Sequence, residues 1–311
     1  MCCVRWPCSF RQSDWRTCFF AYGHLIAPLH AARNPLYATA FSREPLPQVY
    51  GAYLAGLGRE GLGRLPGSPT ETSLAGAIAT ATFNSLGLLA IALSLSIIFG
   101  LGLGLLAVRD RPPRIAAWLT ATTTVGLATP SFFFGVLGVS LLILFLVFGP
   151  GKVLLLPIQG FGWGRHLVLP TIALMLRPTA QIAQLTAGLM VAELNRQYVT
   201  SARSFGVSER RIAYHHVFRN ALPGIIAVIA GSFRLTAGEL IIIETLFGWP
   251  GLGRLIGLAL IPTNSSLTPE GALFLNPPVL GATLAVFAAL FLLSNLVAGL
   301  LTRAADPRLR S

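Results

Sequence analysis

A chain of 311 residues that is 54% hydrophobic and only 11% charged falls far below the roughly 25% charged residues of a soluble globular domain, which excludes water as its main solvent. Its net charge of +12 is carried almost wholly by arginine, with Lys152 the single lysine. Those charges stand between long apolar runs rather than on one basic patch, so membrane orientation explains them better than nucleic acid does.

In chain order, residues 1–47 are the least regular part. All four cysteines (Cys2, Cys3, Cys8 and Cys18) lie here without a metal-ligand spacing to His or acidic residues, and read as free thiols. A basic, apolar and cleavage-site order is also missing, so no signal peptide is read. The best apolar stretch, Thr17 to Ala32, is interrupted by His24, Pro28 and His30 and is shorter than the roughly 20 residues a span requires. A first transmembrane helix is therefore expected to be abnormal or lost. Residues 48–64 place apolar residues at helical spacing among glycines, which fits either an amphipathic segment or a Gly-rich linker.

Phe83 to Val108 predicts a strong span whose Gly100, Gly102 and Gly104 would let a neighbouring helix approach closely. The run from Arg109 to Arg114, with two prolines, ends it sharply. Ile115 to Phe148 is too long for one upright span and is expected to kink at Pro130, with Ser/Thr hydroxyls satisfying freed backbone groups. A loop over 150–165 precedes the next span, His166 to Val191. That span carries Arg177, Gln181 and Gln184 at i, i+4 and i+7. Ionisable groups at membrane depth cost at least about 2.5–3.5 kcal/mol each, so this stripe should face a translocation path or another helix rather than lipid.

A polar, basic island, Tyr198 to Pro223, follows. It reads as a helix, a break at Gly206 and a second helix N-capped by the Ser208 side chain. Pro223 is expected to restart a further helix, where its missing N–H costs nothing. Gly224 to Phe247 is the next span and holds Arg234, Glu239 and Glu244, candidates for charge neutralisation across helices. A loop over 248–278, a last span from Val279 to Leu301 and an arginine-bearing tail complete the chain. The segments 109–114 and 194–222 and the tail carry three, five and three arginines, against Lys152, Arg165 and Arg254 in the loops between them. That asymmetry puts the basic island and the C-terminus on the cytoplasmic side. The fold class expected is all-α, a polytopic bundle of about 5–6 spans, divided into a poorly readable region 1–70 and a transmembrane domain 71–311.

Catalytic chemistry finds no support. A P-loop needs Gly-x-x-x-x-Gly-Lys-Ser/Thr, but Lys152 is followed by Val153 and has Leu146 in place of the first glycine. His215 and His216 are adjacent and project about 100° apart on a helix, so they do not clamp one metal ion. No Gly-x-Ser-x-Gly elbow is present. No cofactor and no metal are expected.

Three stretches together carry a resemblance. The first is the island, with Tyr198, Ala202-Arg203, Gly206, Ser208-Glu209-Arg210-Arg211, His216 and Arg219-Asn220-Ala221-Leu222-Pro223. The second is Glu244-Thr245-Leu246-Phe247-Gly248-Trp249-Pro250-Gly251-Leu252-Gly253-Arg254, and the third is the tail Asp306-Pro307-Arg308-Leu309-Arg310. In this order they resemble the permease subunits of ABC importers, of the branch serving dipeptides, oligopeptides and nickel, over about residue 45 to the C-terminus. Thr200-Ser201 and Ser204-Phe205 depart from the family's loop. The resemblance implies that loop 194–222 couples to separate P-loop ATPase subunits, with Gly206 making the turn and Ala202 allowing close approach. It also implies a second permease (a paralogue in most of this branch), an extracytoplasmic solute-binding protein that chooses the solute, and a bacterial inner-membrane location. Arg177, Gln181, Gln184 and Glu244 are the candidates for the translocation path; packing polarity between helices is an equal alternative for them. The rival classes are an ion-coupled secondary transporter, for which the chain offers only Glu239 and Glu244 as midplane acids, and a non-transporting membrane scaffold.

Overall fold

The computed structural model describes residues 73–110, 112–148, 156–260 and 277–305. The doubtful first span, the segment 48–64, Lys152 and the tail motif lie outside the described residues. Helix α1 (Leu74–Leu106) starts well before Phe83, because Ser73 caps it: its Oγ accepts from Gly76 N at 3.1 Å. Its 33 residues make a rod of about 50 Å, longer than a hydrocarbon core of about 30 Å.

Helix α1 ends at Leu106, two residues short of the expected Val108 and ahead of the two prolines, and the chain then forms a small antiparallel ribbon, β1 (Val108–Asp110) and β2 (Pro113–Ile115), with Arg109 opposite Arg114. This is the one two-stranded ladder among the described residues of an otherwise helical bundle. Pro130 produces a full break rather than a kink. It separates α2 (Ala117–Ala128) from α3 (Ser131–Phe148), and Thr129 lies in extended backbone at φ −98°, ψ 126°. A proline pushes its preceding residue out of the helical region, which is what Thr129 shows. The threonines before the break donate back into the helix, Thr123 Oγ1 to Leu119 O at 2.7 Å and Thr129 Oγ1 to Val125 O at 2.9 Å.

Helix α4 (Arg165–Leu194) follows, then α5 (Gln197–Ser204) and the one-turn α6 (Glu209–Arg211). A π-helical turn (Ile212–Val217) runs from α6 into α7 (Phe218–Phe247) without interruption. Pro223 thus sits inside a continuous helical run rather than at a restart. The wide π turn just before it marks the irregularity that the proline was expected to make. Helix α8 (Leu252–Leu260) occupies ground read as loop, and α9 (Pro277–Ala305) closes the bundle.

Among the described residues, four helical runs are long and apolar enough to cross a membrane: α1, α3, the run Glu209–Phe247 and α9. Helix α4 is 30 residues long but less apolar, since it carries Arg177, two glutamines and two internal prolines. It tolerates them because it is the central rod, packed against α1, α2, α3 and α7. Close approach is built in where α1 meets α4. A Cβ on Gly100 would come within 2.8 Å of Ile182 Cβ, and one on Gly104 within 2.8 Å of Ala183 O. Gly102, grouped with them from the sequence, faces open space. The core runs through Leu88, Ala92, Leu174, Ile243 and Trp249, while the outer flanks of α3 and α9 expose rows of Leu, Val and Phe. An apolar exterior of this extent is stable against lipid chains, not water.

Candidate coupling loop and membrane polar network

The basic island folds as a helical hairpin with one buried side and one exposed side. Val199, Ile212 and Val217 are fully buried and pack with Met190, Leu194, Ala221 and Ile225 from the ends of α4 and α7. Helix α5 stops because Gly206 adopts φ +75°. Gly206 N then donates to Arg203 O at 3.0 Å and Val207 N to Ala202 O at 3.1 Å, the paired bonds of a Schellman closure. Ala202 and Val207 meet on the apolar side of this closure, against the same buried cluster. Nothing lies within 4 Å of where a Gly206 Cβ would stand, so backbone conformation alone requires glycine here.

Ser208 occupies the N-cap position of α6 with extended backbone, but its side chain makes no capping bond. The expected cap is absent. Ion pairing between the two arms takes its place: Arg203 Nε lies 3.1 Å from Glu209 Oε1, and Arg203 Nη2 lies 3.1 Å from Glu209 Oε2. Arg203, one of the five arginines of segment 194–222, therefore has a carboxylate inside its own loop. Tyr198 Oη donates to Glu193 Oε2 at 3.1 Å, Asn220 also bonds to the phenol, and burial above all raises the phenol above its ordinary pKa. Arg210, Arg211, Arg219 and Asn220 are exposed, as is His215, while His216 is half-buried edge-on to it. Two aromatic rings stand out from the exposed side, Phe205 at 85% and Tyr214 at 60% exposure.

The charged residues of the spans form separate sites. Arg177 on α4 pairs through Nη1 with Glu239 Oε1 on α7, and Ser131 at the start of α3 donates to Glu239 Oε2. One carboxylate thus ties three helices. Arg177 Nε, Gln181 Oε1 and Gln184 Oε1 are buried without a hydrogen-bond partner among the described residues. Arg234 does not neutralise Glu239 or Glu244. Its Nη1 donates instead to Asn295 Oδ1 on α9.

Glu244 lies apart from the Arg177 stripe and is fully buried. It accepts from Ser85 Oγ at 2.6 Å, from Gly253 N at 2.7 Å and from Arg254 N at 3.3 Å, while Leu252 N donates to Ser85 Oγ at 2.8 Å. The first N–H groups of α8 have no partner within their own helix, and a carboxylate there satisfies them and suits the positive end of the helix dipole. A Cβ on Gly251 would collide with that carboxylate, and one on Gly253 would lie 2.7 Å from the Ile241 backbone. Trp249 completes the knot: its Nε1 donates to Asn84 O at 3.2 Å, Asn84 Nδ2 donates to Pro250 O at 2.9 Å, and its ring packs edge-on to Phe161 and Trp163. The motif from Glu244 to Arg254 ties α7, α8 and α1 together.

Ser85, Ser131, Asn84 and Asn295 were missed by reading the sequence. A single small polar residue in an apolar helix gives no direction until the helix's rotation is known.

A family model described as the inner membrane component of binding-protein-dependent transport systems matches residues 96–311. A protein of Brucella suis biovar 1 whose name describes a peptide permease is 28% identical over 288 residues, covering 92% of this chain and 86% of that one. The oligopeptide transport system permease protein AppB of Bacillus subtilis is 30% identical over 194 residues, 61% of this chain and 58% of AppB. In fold, the chain is similar to a solved chain of the MetNI methionine ABC transporter in inward-facing conformations, with a TM-score of 0.56 at 17% identity, over 74% of this chain and 96% of that one. The family match covers most of the chain and agrees with the architecture: this chain belongs to the binding-protein-dependent transport system inner membrane components, the permease subunits of ABC importers.

Proposed function

We propose that this permease subunit imports peptides or similar small solutes and is driven through loop 194–222 by separate P-loop ATPase subunits. A second permease, a paralogue in the simplest arrangement, completes the pathway, and an extracytoplasmic binding protein delivers the solute. Loop and C-terminus face the cytoplasm, in keeping with the arginine asymmetry, and residues 71–311 form the transmembrane domain. The permease family is not itself catalytic, so ATP hydrolysis belongs to the partners. Arg177, Gln181 and Gln184 border the solute path, whereas Glu244 serves it indirectly by holding α8 in place.

The observation that carries this reading is the two-sided loop. Its apolar side is anchored in the bundle, its two arms are tied by Arg203 and Glu209, and its other side presents Phe205 and Tyr214 beside Arg210 and Arg211. Exposed aromatic rings with arginine neighbours are the side chains that dominate protein interfaces. A rigid lever with such a tip transmits force; a floppy loop would absorb it. Phe205→Asp should leave the protein in the membrane but remove the co-purifying ATPase and uptake. Undiminished ATPase recovery and uptake would end this reading of the loop.

A further inference from the structure

Arg234 is exposed near the middle of the apolar part of α7, about 15 Å along the axis from Gly224 and about 20 Å from Phe247. That is too deep for its side chain to reach either membrane face. Held against lipid, it would cost at least about 2.5–3.5 kcal/mol. The two acids of its own helix are already engaged, Glu239 with Arg177 and Ser131, and Glu244 with the start of α8. Among the described residues only Nη1 has a partner, the neutral amide oxygen of Asn295, which leaves guanidinium donors and a full positive charge unused. The helix side around it is open: Ala227, Gly238 and Ile242, within about 80° of Arg234 around the helix, are exposed, and a Cβ on Gly238 would meet nothing within 4 Å.

We infer that Arg234 lies on the water-filled solute path and gives it a fixed positive charge that recognises a carboxylate on the passing solute. The inference rests on the permease reading and adds the chemistry of what is carried. A planar guanidinium with free N–H donors matches a carboxylate bidentately. Asn295 holds the guanidinium in place without cancelling its charge, and the small residues beside it leave room for a solute.

The described residues contain no cysteine, so single-cysteine labelling is clean once Cys2, Cys3, Cys8 and Cys18 are replaced by serine. Gly238→Cys, in membranes holding the complex with its ATPase, is treated with methanethiosulfonates bearing either a sulfonate or a trimethylammonium group. Both should react, with the sulfonate favoured about tenfold over its ratio on a free thiol, given a unit charge one helical turn away in partly screened surroundings. Arg234→Gln should bring the preference to about one, and Arg234→Lys should retain it. Raising the salt concentration should weaken the preference in the Gly238→Cys protein that keeps Arg234, a readout that does not depend on the Gln variant folding. Inertness to both reagents, meaning that lipid or the second permease covers this face, overturns the inference. A preference that survives Arg234→Gln, or that ignores salt, does the same. Recovery of the ATPase from the same membranes separates the two claims, since an inert thiol in a Gly238→Cys complex that retains its ATPase sinks the inference and leaves the permease reading standing.

Discussion

Replacing Glu244 tests how the motif after α7 holds the bundle together. Glu244→Ala removes the acceptor for Ser85 Oγ and for the N–H groups of Gly253 and Arg254, all buried or partly buried. Each buried donor left unsatisfied costs about 1–3 kcal/mol, and the third bond is long, so the total loss should be about 3–5 kcal/mol. Glu244→Gln keeps the shape. Its amide oxygen can accept from both N–H groups and its NH2 can donate to Ser85 Oγ, leaving mainly the Ser85 hydroxyl proton and the helix-dipole attraction unmet, about 1–2 kcal/mol. At about 2–4 °C per kcal/mol, the melting temperature should fall by roughly 10 °C for Ala and roughly 4 °C for Gln. Thermal unfolding in detergent followed by tryptophan fluorescence is suited to this, because buried Trp249 and its neighbour Trp163 sit in the same knot, with ring centroids 5.5 Å apart. Ser85→Ala should fall between the two, since it orphans Leu252 N and one Glu244 oxygen. An alanine variant that melts with the wild type would refute the tie. A glutamine variant as damaged as alanine would show that charge, not hydrogen bonding, holds α8.

Further tests address the loop, the helix contacts and the ion pair. Gly206→Ala should cost about 1–2 kcal/mol because the left-handed backbone penalises any Cβ, and should open the loop to proteolysis; Gly206→Asn should be milder, and equal resistance in all three proteins would count against the Schellman closure. Gly104→Ala should lower the melting temperature through its clash with Ala183 O, at a cost of about 1–3 kcal/mol, whereas Gly102→Ala should be neutral or stabilising by up to about 1 kcal/mol. Arg177→Met or Glu239→Leu alone should destabilise more than the two changes together, because a lone charge left among helices is worse than none. Additive effects in that double-mutant cycle would mean that the pair contributes nothing as a pair.

What could be read from the sequence, and what could not, divides along a physical line. Transfer free energy and charge asymmetry are properties of a stretch of chain, so residue types alone determined that this is a membrane bundle, where most spans lie and that a basic hairpin stands between two of them. The break at Gly206 was equally legible, since a glycine between two helical patterns is the residue that most readily ends one; its left-handed backbone at φ +75° came with the structure. Which side chain meets which is different, because it depends on the rotation and register of helices far apart in sequence. Only the tertiary structure decided that Glu239 takes Arg177 rather than Arg234, that Glu244 caps α8, that Arg203 spends its charge on Glu209, and that Ser208 leaves its cap unmade. The same holds for Gly100 and Gly104 against Gly102: four residues carry the chain round to the same face of α1, two carry it to the far side, and α4 lies on only one of them.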